Sequence, residues 1–91
     1  MKIEEIPERL ENFPLQGEKS LDLGYKADWF IQTAENGERI GNKDLRDTNY
    51  HRAFQAYMEG GWFRQALKIA RIIPSESRER EVLAVLKMYT R

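Results

Sequence analysis

The sequence has no cysteine and only one histidine, His51. Without cysteine, disulfides and thiolate metal sites are excluded. A zinc site would have to be built almost wholly from carboxylates, which is not the usual ligand set. We therefore predict no metal site, and no pattern in the chain indicates a cofactor.

Long apolar runs are also missing. No run approaches the roughly 20 residues that a membrane-spanning helix needs. The first ten residues, MKIEEIPERL, contain three acids and lack the continuous apolar segment of a signal peptide, so they are not predicted to be one. We expect a cytoplasmic protein that does not enter a membrane.

The net charge is zero, but the charges are unevenly distributed along the chain. Residues 1–50 hold 7 Lys/Arg and 11 Asp/Glu, whereas residues 51–91 hold 8 and 4. This is either chance in a short chain or a basic C-terminal surface. A basic surface would meet an acidic partner or the acidic half of a second copy.

Apolar residues recur at helical spacing through most of the 91 residues, which predicts a single all-α domain of four to five helices. Residues 1–25 are interpreted as an N-terminal helix followed by an arm. In that arm Leu21, Leu23 and Tyr25 alternate with polar residues, as in an extended segment. Further helices are predicted over 26–41, 43–60, 62–73 and 75–90. If the second of these runs on to Ile40, Gly37 lies on its apolar face, where a neighbouring backbone can approach.

The segment YMEGGWFRQ separates two of the predicted helices. Glycine supplies the positive φ that ends a helix, and a second glycine lets the chain reverse without a clash. Gly60 and Gly61 therefore predict a tight antiparallel hairpin, with Trp62 shielding the turn. A DNA-reading helix-turn-helix is the other arrangement that such a junction allows.

The hairpin resembles a tetratricopeptide-type repeat. The residues at the matching spacing are Tyr50, Ala53, Tyr57, Gly61, Phe63, Ala66 and Ala70. In that family small residues let the two helices approach, and aromatic residues fill the layer between neighbours. The resemblance covers residues 50–86 and implies a helical hairpin plus one following helix; an ordinary helical bundle is the alternative.

Two groups of residues are candidates for binding a partner. Arg64, Lys68 and Arg71 are spaced by four and three along one helix face, as in a phosphate-binding or acidic-peptide-binding stripe and equally as in a solvated helix face. Trp29 and Trp62 lie near predicted helix ends. Exposed tryptophan beside arginine is the composition of a protein-binding hot spot.

One pattern points to catalysis. Arg46 and His51 form Arg-x4-His, which resembles the signature of HEPN-type ribonucleases, small all-helical proteins in which these two residues act on the scissile phosphate. Histidine can move a proton near neutral pH, and arginine can stabilise phosphate charge. A solvent-exposed helical histidine is the simpler interpretation.

The sequence therefore favours a non-enzymatic helical adaptor or regulatory module that binds another protein, with an acidic partner as one candidate. Burial of Trp29 and Trp62 would drive the binding, and Arg64, Lys68 and Arg71 would orient the partner. Homodimerisation is a second use of the same surface. The alternative function is RNA-directed, either a HEPN-like ribonuclease or a nucleic-acid binder that uses the basic stripe.

Overall fold

Four α-helices form the described fold. The structure is a computed structural model that describes residues 5, 6, 8, 13, 17–73 and 76–89. The helices are α1 (Glu18–Arg39), α2 (Lys43–Gly60), α3 (Phe63–Ile72) and α4 (Glu76–Tyr89). No strand occurs in those ranges, so the predicted all-α class is confirmed.

Each helix packs chiefly against its neighbours in the chain, α1 on α2, α2 on α3 and α3 on α4. The buried apolar residues come from all four helices and from one residue of the N-terminal segment: Ile6, Ala27, Ala34, Tyr50, Ala53, Phe54, Ala56, Tyr57, Phe63, Ala66, Leu67, Ile69, Ala70, Val82 and Leu86. The residues at the repeat-like spacing on α2 and α3 all lie in this core or at the turn between the two helices. Whether they make a tetratricopeptide-like repeat stays a prediction.

The prediction for residues 14–25 was wrong where the structure describes them. An arm was expected up to residue 25, with a helix over 26–41, but α1 already begins at Glu18. Leu21, Leu23 and Tyr25 are therefore helical, and their alternation does not mark a strand. A lone strand would have left its backbone groups without partners, whereas a helix satisfies them within the segment. The first bond of this kind runs from the Leu21 N–H to the Gly17 carbonyl, at 3.1 Å.

The junction between α1 and α2 is only three residues long. Gly41 has a φ of +76°, and the Asn42 N–H donates to the Gly37 carbonyl at 2.8 Å, which closes α1 in a Schellman motif. The Asn42 side chain then accepts a 3.0 Å bond from the Leu45 N–H and caps α2. Gly37 is buried, and a Cβ atom there would lie 2.8 Å from the Arg46 backbone nitrogen. The close backbone approach predicted at Gly37 is thus confirmed.

The junction between α2 and α3 is two residues long, and it also closes a helix with a positive-φ glycine and a backbone hydrogen bond. Gly61 has a φ of +81°, and the Trp62 N–H donates to the Tyr57 carbonyl at 2.9 Å. A Cβ atom on Gly61 would lie 2.5 Å from the Phe13 ring, and one on Gly60 would lie 2.7 Å from the Trp62 ring. Position 61 needs glycine because its φ is positive. Both positions also need glycine because a Cβ atom would collide with the aromatic ring that covers the turn.

The N-terminal segment adds to the core at two places. Ile6 is buried, and the Phe13 ring meets Phe63 edge-on, with centroids 5.3 Å apart. Most of the predicted N-terminal helix lies outside the described residues. So do residues 74 and 75, which lie between α3 and α4 in the chain.

Candidate interaction surface

Three large apolar side chains form one exposed stripe on α1. Leu21, Tyr25 and Trp29 are spaced by four, so they share a face of the helix. Their side chains are 47, 67 and 61 % exposed. We call this stripe the outer face, because α2 covers the other side of α1.

The opposite side of α1 explains why these three residues point outwards. Its small buried residues, Ser20, Ala27, Ala34 and Gly37, lie against α2. Trp29 contacts the neighbouring Phe30 edge-on, with centroids 5.5 Å apart. The α1 helix therefore has two apolar sides, and only the side that faces α2 is packed against another described helix.

Trp62 lies over the turn between α2 and α3 and also contacts α1. Its indole N–H donates to the Ser20 carbonyl at 2.8 Å, and a Cβ atom on Gly24 would lie 3.2 Å from its ring nitrogen. The Ser20 hydroxyl in turn donates to the Gly60 carbonyl at 2.7 Å. Trp62 thus shields the turn, as predicted, and also ties that turn to α1. Its ring is half-buried rather than broadly exposed.

Trp29 and the Trp62 ring lie at different positions around α1. Gly24, which the Trp62 ring touches, precedes Trp29 by five residues on α1. At about 100° per residue the two positions differ by about 140° around the helix. Of the two tryptophans, Trp29 lies on the open surface.

A cavity of about 190 Å³ lies between α1 and the turn that joins α2 to α3. Its lining includes the aromatic residues Tyr25, Tyr57 and Trp62 and the carboxylates of Glu8 and Asp28. We call it the α1–turn cavity. Because Leu21 and Tyr25 also line it, it continues directly from the outer face.

One hydrogen bond holds a carboxylate at this cavity. The Tyr57 hydroxyl donates to Asp28 Oδ1 at 2.6 Å. Burial raises the pKa of the Tyr57 phenol well above its usual 10.0, and the bond to the Asp28 carboxylate raises it further. Tyr57 therefore stays a protonated donor through the neutral pH range, and Asp28 is held beside the cavity.

The basic stripe of α3 is largely used inside the molecule. The Arg64 Nε donates to the Ile6 carbonyl at 2.7 Å and so fastens the N-terminal segment to α3. The Arg71 Nε meets Glu79 Oε1 at 3.1 Å and joins α3 to α4. Lys68 is exposed. Two of the three predicted partner-binding cations thus have structural contacts.

Arg46 and His51 make separate contacts. The Arg46 Nε pairs with Asp47 Oδ1 at 2.9 Å, and His51 Nδ1 lies 3.1 Å from an Arg78 nitrogen on α4. They are five residues apart on α2, so they point in directions that differ by about 140°. The structure does not bring them together, and the ribonuclease role stays a prediction.

The sequence reasoning missed Tyr25, Leu21 and the Asp28–Tyr57 pair. A signal for the first two was available, since Leu21, Tyr25 and Trp29 recur every four residues. Assigning residues up to 25 to an arm separated them from Trp29. The Asp28–Tyr57 bond spans 29 residues between two helices, and no local pattern indicates it.

Two other kinds of site are not found in the described residues. No three His, Asp or Glu side chains there are placed to hold a metal ion, and no helix there is long and apolar enough to cross a membrane. Comparison with known protein families, curated proteins and solved structures found no match.

Proposed function

We propose that the protein is a non-enzymatic helical module that binds another protein through the outer face of α1. The observation that carries the proposal is the row of Leu21, Tyr25 and Trp29 on the side of α1 away from α2. Tyrosine and tryptophan are enriched in interface hot spots, because they bury a large area at a low cost in side-chain entropy. They occur here together, one helical turn apart.

The contrast with the other exposed apolar residues supports this choice. Among the described residues, six large apolar side chains are exposed, and three of them form the outer face. The others, Ile40, Ile72 and Met88, are scattered singly, which is normal for a protein surface. A contiguous apolar row on one helix is the less common feature.

The charges beside the outer face indicate a basic partner. Glu18 is exposed at the N-terminal end of the face, and Asp22 and Asp28 are exposed at its two edges. The exposed cations of α1 that follow beyond Asp22, Lys19 and Lys26, lie further around the helix. An isologous contact of this face with itself would bring the same acids together at each edge. A segment that carries cations around an apolar side complements it better. The acidic partner expected from the sequence would need the α3 stripe, where Arg64 and Arg71 already have contacts.

A displayed library of helical and extended peptides tests the proposal. Peptides selected on the intact protein should lose at least about tenfold in affinity for Trp29→Ala or Tyr25→Ala, the loss expected of a hot-spot residue. Met88→Ala is the matched control, since Met88 is also exposed and lies on α4. Thermal melts should show that all three variants keep the fold. Equal binding to Trp29→Ala and to the wild type would refute the proposal.

A further inference from the structure

Two carboxylates at the α1–turn cavity have no ion pair with any residue that the structure describes. Asp28 accepts the Tyr57 hydroxyl through Oδ1, and its Oδ2 has no hydrogen-bond donor in the described part of the chain. Glu8 has neither a hydrogen bond nor an ion pair with any described residue. This contrasts with Asp47 and Glu79, each of which has an arginine within 3.1 Å. Among the described residues, therefore, neither carboxylate at the cavity is paired with a cation.

The rest of the lining is suited to a flat cation. Tyr25, Tyr57 and Trp62 contribute aromatic rings, whose faces attract cations. A guanidinium group is planar, stacks on such rings and donates hydrogen bonds to carboxylates. At about 190 Å³ the cavity is smaller than the roughly 300–1,000 Å³ typical of small-molecule sites, so its size suits one side chain.

We infer that the α1–turn cavity binds the guanidinium group of an arginine on the docking segment of the partner, an inference that rests on the function proposed for the outer face. Leu21 and Tyr25 belong to both surfaces. An arginine next to the apolar residues of a docked segment therefore reaches the cavity from the outer face. Its guanidinium donates to Asp28 Oδ2 and Glu8, and its plane lies against the aromatic lining.

The test uses the intact ¹⁵N-labelled protein and N-acetyl-L-arginine amide as the probe. We expect a saturable shift of the Trp62 indole N–H resonance, because that ring lines the cavity. N-acetyl-L-citrulline amide has nearly the same shape without the charge and should give no saturable shift. Asp28→Asn and Glu8→Gln should each raise the Kd for the arginine probe about three- to tenfold. Glu35→Gln is the control, since Glu35 is an exposed acid of α1 that lies outside both the cavity and the outer face, and it should leave the Kd unchanged.

The variants are chosen so that loss of folding does not mimic loss of binding. An asparagine at position 28 can still accept the Tyr57 hydroxyl through its amide oxygen, and Glu8 is exposed. Absence of a saturable shift in the wild type, equal shifts with the citrulline probe, or an unchanged Kd in both Asp28→Asn and Glu8→Gln would overturn the inference.

A second experiment separates this inference from the function of the outer face. Replacing the arginine of a selected peptide by citrulline should weaken its binding to the wild type but not to Asp28→Asn, which gives a coupling between the two changes. If the peptides depend on Trp29 and show no such coupling, the outer face is a docking surface and the cavity is not an arginine site. If the arginine probe binds the cavity but no peptide depends on Trp29, the proposed docking function is wrong.

Discussion

Trp62 donates its indole N–H to the carbonyl oxygen of Ser20 at 2.8 Å, across 42 positions of the chain. The Ser20 hydroxyl in turn donates a hydrogen bond to the carbonyl oxygen of Gly60, two residues before Trp62. This pair of bonds explains why glycines and a tryptophan separate α2 from α3. The glycines let the chain reverse, and the tryptophan fastens the reversed chain to the start of α1.

The two tryptophans should respond differently to the same substitution. Trp62→Phe removes the bond to Ser20 and part of a packed ring, so we expect it to lower the free energy of unfolding by about 1–3 kcal/mol. Trp29→Phe changes an exposed ring and should alter stability by less than about 0.5 kcal/mol. Urea unfolding followed by circular dichroism measures both. Equal losses would contradict the division of roles between these residues.

Substitutions at Gly61 and Gly41 can separate the cost of backbone strain from the cost of a clash with Phe13. Both have φ near +80°, but only Gly61 has the Phe13 ring where a Cβ atom would lie. Gly41→Ala should cost about 1–2 kcal/mol, the strain of the left-handed conformation alone. Gly61→Ala should cost measurably more, because Phe13 must also move. If the two variants melt at the same temperature, the contact with Phe13 contributes nothing to stability.

Tyr57 predicts a loss of stability at alkaline pH. Its pKa in the folded protein lies above the 10.0 of an unperturbed phenol, because of burial and the bond to Asp28. The stability linked to its proton is therefore fully present below pH 10 and is lost as the pH rises further. Tyr57→Phe should be less stable by about 0.5–1.5 kcal/mol at pH 8 and should lose less stability between pH 9 and pH 11 than the wild type does.

Thermal melts across that pH range check the prediction. Tyr50 also has a raised pKa, from burial first and then from Glu38 and Glu35, so some alkaline loss should remain in the variant. Parallel curves for the wild type and Tyr57→Phe would show that Tyr57 does not carry the effect.

The charges beside the outer face also predict the oligomeric state of the protein in solution. Because self-contact of this face would bring the same acids together, we expect a monomer at two protein concentrations and at both low and high salt. Light scattering measures this directly. A concentration-independent dimer that Trp29→Ala dissociates would show that a second copy, not a basic partner, occupies the face.

The ribonuclease alternative has its own test. With Arg46 paired to Asp47 and His51 next to Arg78, we expect no cleavage of a single-stranded RNA oligonucleotide. His51→Ala should therefore change neither RNA integrity nor peptide binding. Cleavage by the wild type that disappears in both His51→Ala and Arg46→Ala, with the fold kept, would establish the alternative.

Much of the helical fold could be predicted from local patterns in the sequence. The predicted helix over 43–60 has the bounds of α2, and the helix predicted over 62–73 is one residue longer than α3 at each end. The helix predicted over 75–90 includes the whole of α4. Gly37 was recognised because its place on a helix face follows from the spacing alone. The beginning of α1 could not be recognised in this way, since Gly24 weakens the helical pattern and the Trp62 ring that covers it comes from far along the chain.

The candidate site was less predictable than the helices, because it too depends on contacts between segments that are far apart in the chain. Trp29 is exposed, as expected. Trp62, Arg64 and Arg71 each make a long-range or interhelical contact that the sequence did not indicate. Periodicity tells which face a residue occupies, but it does not tell which other segment packs there. The α1–turn cavity exists only after α1, the turn and Glu8 have come together.

The short junctions at the two ends of α2 determine how a partner would meet this protein. Gly37 brings the α2 backbone close at one end of α1, and the Ser20–Trp62 bond fastens the other end, so α1 has little freedom to shift. The outer face is therefore preorganised, and binding does not have to include ordering it. Association should then proceed at the roughly 10⁵–10⁷ M⁻¹s⁻¹ of rigid docking, and differences between ligands should lie mainly in how long each one stays bound.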